Sequence, residues 1–217
     1  YTPGSGISEA SHILYVQERD AANWSSSGSS TIVIDTTAPT ITSFTSTTNN
    51  GSYKSAGTVN ITATASEAVV ATNTITATLD TSDNVTLTAA ANGTTLVGTY
   101  TVGAGDNSND LTVSSFSIGT VTDIAGNAMS GTAVPDTNIA SGSAIVIDTT
   151  VPTITSFTST TADGSYKSAG TVNITATASE AVVSGNTITA TLDTSDNVTL
   201  TAAANGTTLV GTYTVGA

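Results

Sequence analysis

Residues 35–104 recur 113 positions later as residues 148–217, with five substitutions in 70 positions: Ala38/Val151, Asn49/Ala162, Asn50/Asp163, Ala71/Ser184 and Thr72/Gly185. So faithful a repeat points to recent duplication within a tandem array of similar domains. The segment ahead of the first copy closes on Ile32-Val33-Ile34-Asp35, and the same four residues stand at Ile145-Val146-Ile147-Asp148. The chain therefore reads as a window on a longer array. Residues 1–35 are the C-terminal part of one domain, 36–149 a complete domain, and 150–217 the N-terminal part of a third, nearly identical one.

Within the complete repeat the apolar period is two. Val59, Ile61, Ala63 and Ala65 alternate with Asn60, Thr62, Thr64 and Ser66, and Ile75, Ala77 and Leu79 alternate with Thr74, Thr76 and Thr78. This is the pattern of half-buried strands. Further strands are expected at 40–47, 85–88, 96–102, 111–118 and 144–148. Turn clusters such as Asn49-Asn50-Gly51-Ser52 and Ala125-Gly126-Asn127 separate them. Seven short antiparallel strands in a domain without cysteine fit an all-β, immunoglobulin-like β-sandwich repeated in tandem. A solenoid requires a shorter period, and a propeller requires closure.

Charge narrows the partners. Sixteen acids stand against three bases, Arg19, Lys54 and Lys167, for a formal charge of −13. Phosphate binding needs Lys and Arg, so nucleic acid is excluded and anionic lipid is disfavoured. No apolar run reaches the roughly 20 residues of a membrane helix. With no cysteine, neither disulfides nor thiolate metal sites contribute.

The acids have a geometric meaning in a seven-strand sandwich. Loops after the second, fourth and sixth strands return to the pole that receives the incoming linker. That places Asp35, the Ser66-Glu67 loop and the Asp123–Asn127 loop together. Asp35, Glu67, Asp123 and Asn127 form an oxygen set suited to a hard cation such as Ca²⁺, which takes oxygen ligands at roughly 2.3–2.6 Å. Asp148 and Glu180 repeat it at the next junction, and Asp20 and Asn23 are the counterparts in the preceding domain. The opposite pole carries Asp80, Asp83, Asp106 and Asp110, of which Asp106 and Asp110 are candidate ligands for a cation bridging two domains. The alternative reading is local: Asp35-Thr36-Thr37 begins a linker turn, and Asp123 and Asn127 are turn formers around a left-handed Gly126.

No catalytic constellation is expected. His12 is the only histidine and lies in a partial domain, and Asp80 and Asp83 lie in a turn that recurs as Asp193 and Asp196. Trp24 reads as a cap on a sandwich core.

Several runs carry a resemblance. Asp35-Thr-Thr-Ala-Pro-Thr, Asn50-Gly-Ser-Tyr-Lys-Ser-Ala-Gly, Ala65-Ser-Glu-Ala-Val, Tyr100-Thr-Val-Gly-Ala-Gly-Asp-Asn-Ser-Asn-Asp-Leu and Val121-Thr-Asp-Ile-Ala-Gly-Asn-Ala resemble bacterial Ig-like repeats of giant surface adhesins. Leu14–Ser25 resembles the end of a related repeat, with Ala22 where glycine is often found. The resemblance implies an extracellular stalk at the bacterial cell surface, serving adhesion or biofilm and projecting a distal region toward its receptor. It also implies calcium at domain junctions. The expected partners are neighbouring repeats of the same chain and lateral copies of itself. The rival function is a self-assembling subunit of a filament, sheath or surface layer, in which a neighbour supplies missing strands.

Overall fold

A computed structural model describes residues 8–216. The chain divides into two compact units, Tyr1–Thr149 and Thr150–Ala217, and nearly all regular structure in both is strand. Unit 1 opens with a hairpin of β1 (Ala10–Val16) and β2 (Gly28–Ile34), paired antiparallel.

The complete repeat follows as β3 (Ile41–Thr45), β4 (Gly51–Tyr53), β5 (Thr58–Val69), β6 (Thr74–Leu79), β7 (Asn84–Thr88), β8 (Gly93–Thr101), β9 (Asn107–Ser108), β10 (Val113–Ile118), the one-turn helix α1 (Ile139–Gly142) and β11 (Ile145–Asp148). Six strands form one sheet in the order β10-β6-β7-β8-β5-β3, and three form another in the order β4-β11-β9. Alternation is obeyed residue by residue: in β5, Val59, Ile61, Ala63 and Ala65 are buried, and Ile75, Ala77 and Leu79 are buried in β6. Both sheets feed one apolar cluster, in which Phe44 and Phe116 meet edge to face at 5.5 Å between centroids.

Three details differ from the seven-strand expectation. Asn49–Ser52 is not simply a turn, because Gly51–Tyr53 pairs with β11, and this pairing is parallel. Ser66 and Glu67 lie within the long strand β5, where the register shifts between Thr64 and Val69, rather than in a loop. The third is α1, which a period-two reading does not anticipate. The Asn138 side chain caps it, accepting from Ile139 N and from Val113 N while its amide donates to Val113 O. A single turn burying one residue, Ile139, is too short to leave a helical period in the sequence.

Unit 2 contains β12 (Ile154–Thr158), β13 (Thr171–Val182), β14 (Thr187–Thr191), β15 (Asn197–Thr201) and β16 (Gly206–Thr214), in one sheet ordered β12-β13-β16-β15-β14. It repeats β3, β5, β6, β7 and β8 in pairing and register.

Candidate cation site beside the incoming linker

The site is built by backbone pairing at the end of β5. An isolated bridge joins Val69 to Asp123, and Val70 N donates to Thr122 O. These contacts bring the turn at 123–127 against the strand that carries Glu67. On the other side, Ser66 N donates to Thr40 O and Thr40 N to Ser66 Oγ, holding the linker alongside. Carboxylate oxygens of Asp35, Glu67 and Asp123 consequently lie within 4.8 Å of one another.

Each acid is held differently. Asp123 is buried, its Oδ1 accepting from Gly126 N at 2.6 Å and Asn127 N at 2.8 Å, and its Oδ2 from Asn127 Nδ2 at 2.7 Å. Burial pushes this carboxyl up, but the donors at Asn127, Gly126 and Ala125 outweigh it and hold the group below its ordinary range. Gly126, at φ +100°, supplies the left-handed residue of the turn. Asn127 enters as a donor: its amide also reaches Asp35 O at 3.1 Å, tying linker to turn. Asp35 Oδ1 accepts from Thr37 N, so the turn-forming reading and the clustered reading of these residues hold together.

Glu67 is the exception. Its Oε1 is buried and has no hydrogen-bond partner. Desolvation, followed by the negative charges of Asp35, Asp123 and Glu9, raises its pKa above the ordinary glutamate range. Glu9 is a residue the sequence did not single out. It accepts from Thr36 Oγ1 at 3.1 Å and Thr37 Oγ1 at 2.5 Å, and so adds a fourth acid beside the linker. No motif marks it, since its role follows from the approach of β1 and β2 to residues 36–37.

The remaining candidates are more dispersed. Asp20 Oδ1 accepts from Ala22 N and Asn23 N at 2.7 Å each, closing a turn that lowers the Asp20 pKa, and Asn23 contributes backbone groups to it. Asp106 accepts from Tyr100 Oη and Gly103 N, both at 2.6 Å, which lowers its pKa. A hydrogen bond with Asp106, then burial and the Asp106 charge, raises that of Asp83. Asp110 Oδ1 lies 3.4 Å from Ile145 N, and Asp80 accepts from Ser108 Oγ and Thr112 N. Asp148 ends β11 opposite Asn107. Glu180 repeats the buried, unpartnered Oε1 of Glu67 within unit 2. Among the described residues, only Asp35, Glu67 and Asp123 converge as a group of three acids.

The arrangement offers hard oxygen donors and negative charge. His12 Nε2 is engaged with Ser8 O at 2.8 Å. No family model matches the chain, and no curated protein matches it.

Proposed function

We propose that this chain is a stalk segment of an extracellular bacterial adhesin or surface fibre, built from tandem Ig-like β-sandwich domains and without enzymatic activity. In this reading Ca²⁺ binds Asp35, Glu67 and Asp123. The observation that carries it is the position of the unpartnered Glu67 Oε1, buried next to the Asp35 linker residue and the turn acid Asp123. A cation there ties the linker to the body of the domain. It also neutralises carboxylates whose repulsion would loosen the hinge. Pro39, buried just after the linker, restricts φ at the same place. Asn127 positions Asp123 and the Asp35 carbonyl, and Glu9 adds to the local field.

Thermal unfolding of the 217-residue chain in millimolar Ca²⁺ and in excess chelator tests the reading. Saturating calcium at about 100 times its dissociation constant should stabilise unit 1 by about 2.7 kcal/mol. Glu67→Gln should raise the chelator melting temperature and abolish the calcium response. An equal response in wild type and Glu67→Gln would remove the cation from this site.

A further inference from the structure

The triplet Asn-x-Ser/Thr is the acceptor pattern for N-linked sugar, a bulky modification of accessible surface. The chain holds eight such triplets, beginning at Asn23, Asn50, Asn60, Asn84, Asn92, Asn173, Asn197 and Asn205. In a sequence so rich in Asn and Thr the pattern alone selects none of them. Their middle residues divide them. Ile61 and Val85, which follow Asn60 and Asn84, are buried in the core of the complete repeat. Ile174 packs against the buried cluster of unit 2, and Val198 belongs to it. Trp24, after Asn23, lies under the Arg19 guanidinium at 5.2 Å. At Asn50, Asn92 and Asn205 the middle residue is glycine, and a Cβ placed on Gly51, Gly93 or Gly206 would meet nothing within 4 Å.

The acceptor side chains divide in the same way. Asn60 is half-buried, its Oδ1 accepting from Thr47 Oγ1 and its backbone N donating to Thr48 Oγ1. Asn84 is exposed, but it starts β7 opposite Thr78, whose hydroxyl donates to its Oδ1 at 2.7 Å. Asn92 is exposed at the end of the turn between β7 and β8. Its Oδ1 accepts from Ala71 N at 2.7 Å, which fixes the carboxamide and leaves Nδ2 without a partner among the described residues. Asn205 repeats this with Ser184 N at 2.8 Å, and Asn50 Oδ1 accepts from Ala144 N at 2.9 Å. The third residues of these triplets, Ser52, Thr94 and Thr207, are exposed. Asn50 and Asn92 lie within the complete repeat, so their setting is that of a fully packed domain. A transferase takes the three residues into its own cleft. At Asn60 or Asn84 this would draw Ile61 or Val85 out of the core, whereas a glycine has no side-chain burial to lose.

We propose that Asn50, Asn92 and Asn205 are N-glycosylation acceptors of the folded chain, taking their sugar from a nucleoside diphosphate sugar. In the transfer, Nδ2 bonds to the anomeric carbon and gives up one proton to the base of the transferase. The anomeric C–O bond breaks, and its electron pair leaves on the nucleoside diphosphate. The 113-residue repeat then sets one sugar on the same turn of each copy, at Asn92 and Asn205. Asn50 adds another, which its counterpart Asp163 cannot accept. No cation at Glu67 is required.

The folded 217-residue chain, incubated with UDP-glucose and a soluble N-glucosyltransferase that recognises Asn-x-Ser/Thr, tests this by intact mass and electron-transfer fragmentation. A hexose should appear at each of Asn50, Asn92 and Asn205. Thr94→Val should remove the one at Asn92 and Thr94→Ser should keep it, which separates enzymatic transfer from chemical glycation. Synthetic peptides spanning residues 56–64 and 80–88 should be accepted, showing that the fold excludes Asn60 and Asn84. Protein recovered from the cells that make it should carry sugar at the same three positions. Modification of Asn60 or Asn84 in the folded chain, a bare Asn50, Asn92 or Asn205, or a sugar-free protein from the producing cells overturns the proposal.

Discussion

The two copies of the repeat are nearly the same sequence in two different packing environments. In unit 1 the copy packs against residues 105–149, and Phe44 lies in the centre of a core where its backbone N–H donates to Thr137 O. In unit 2 the same sheet forms with the same register, yet the buried cluster shrinks to Ala176, Ala178, Val198, Leu200, Ala202 and Leu209. Strand pairing is thus a property of the copy itself, and burial of its second face is a property of what packs against it. Even a hydrogen bond changes hands. Tyr100 Oη donates to Asp106, whereas Tyr213 Oη donates to Asp196, the counterpart of Asp83.

The largest expected contrast is at the phenylalanines. Phe44→Ala should destabilise unit 1 by about 3–5 kcal/mol. Phe157→Ala should change unit 2 by no more than about 0.5 kcal/mol in dilute, monomeric protein. Hydrogen exchange resolved by segment would separate the two, and equal losses would break the comparison.

Glycine offers the opposite pattern. A methyl at Gly98 would be driven into Thr86 O and Leu87, and one at Gly211 into Thr199 O and Leu200. Both obstacles lie inside the shared sheet, so Gly98→Ala and Gly211→Ala should each cost about 1–3 kcal/mol in denaturant unfolding. A cost confined to unit 1 would show that sheet geometry, too, depends on what packs against the sheet.

Acid titration should separate the copies by a smaller amount. Glu67 and Asp83 have raised pKa values, so the folded state holds their protons more tightly than the unfolded chain. Their effect on stability is therefore lost as pH rises through the raised values. Asp106 and Asp123 are lowered, and their contribution is lost as pH falls through those lower values. In chelator, unit 1 should be most stable just above the ordinary carboxyl range and decline toward neutrality. Glu67→Gln should flatten that decline, as read by melting temperature against pH.

The smallest effect concerns a position where the copies differ. Thr72 sits at φ +70° and its counterpart Gly185 at φ +84°. A β-branched residue in that region is strained, so Thr72→Gly should stabilise unit 1 by about 1 kcal/mol, and Gly185→Thr should cost unit 2 as much. Matching shifts of opposite sign in melting temperature would show that this turn behaves alike in both copies.

Much of this was legible before any coordinates. The alternation of Val59–Ala65 and Ile75–Leu79 marks strands and their inward faces because the side-chain period of a strand is two. The convergence of Asp35, Glu67 and Asp123 followed from strand parity, although Glu67 reaches the site from an irregular stretch of β5 rather than from a loop. Glu9, β4 and α1 were not legible. Glu9 acts through a distant linker, and α1 is one turn held by Asn138.

What the sequence by itself determined is the repeat, the strands and which residues of each strand are apolar, since these are local patterns that each copy carries. Only the tertiary structure decided which of those apolar faces are covered and which short segments become strands. Gly51–Tyr53 and Gly164–Tyr166 have one sequence and two fates. A strand exists only when its N–H and C=O groups find a neighbour, and here the neighbour lies more than ninety residues away for one copy, in β11.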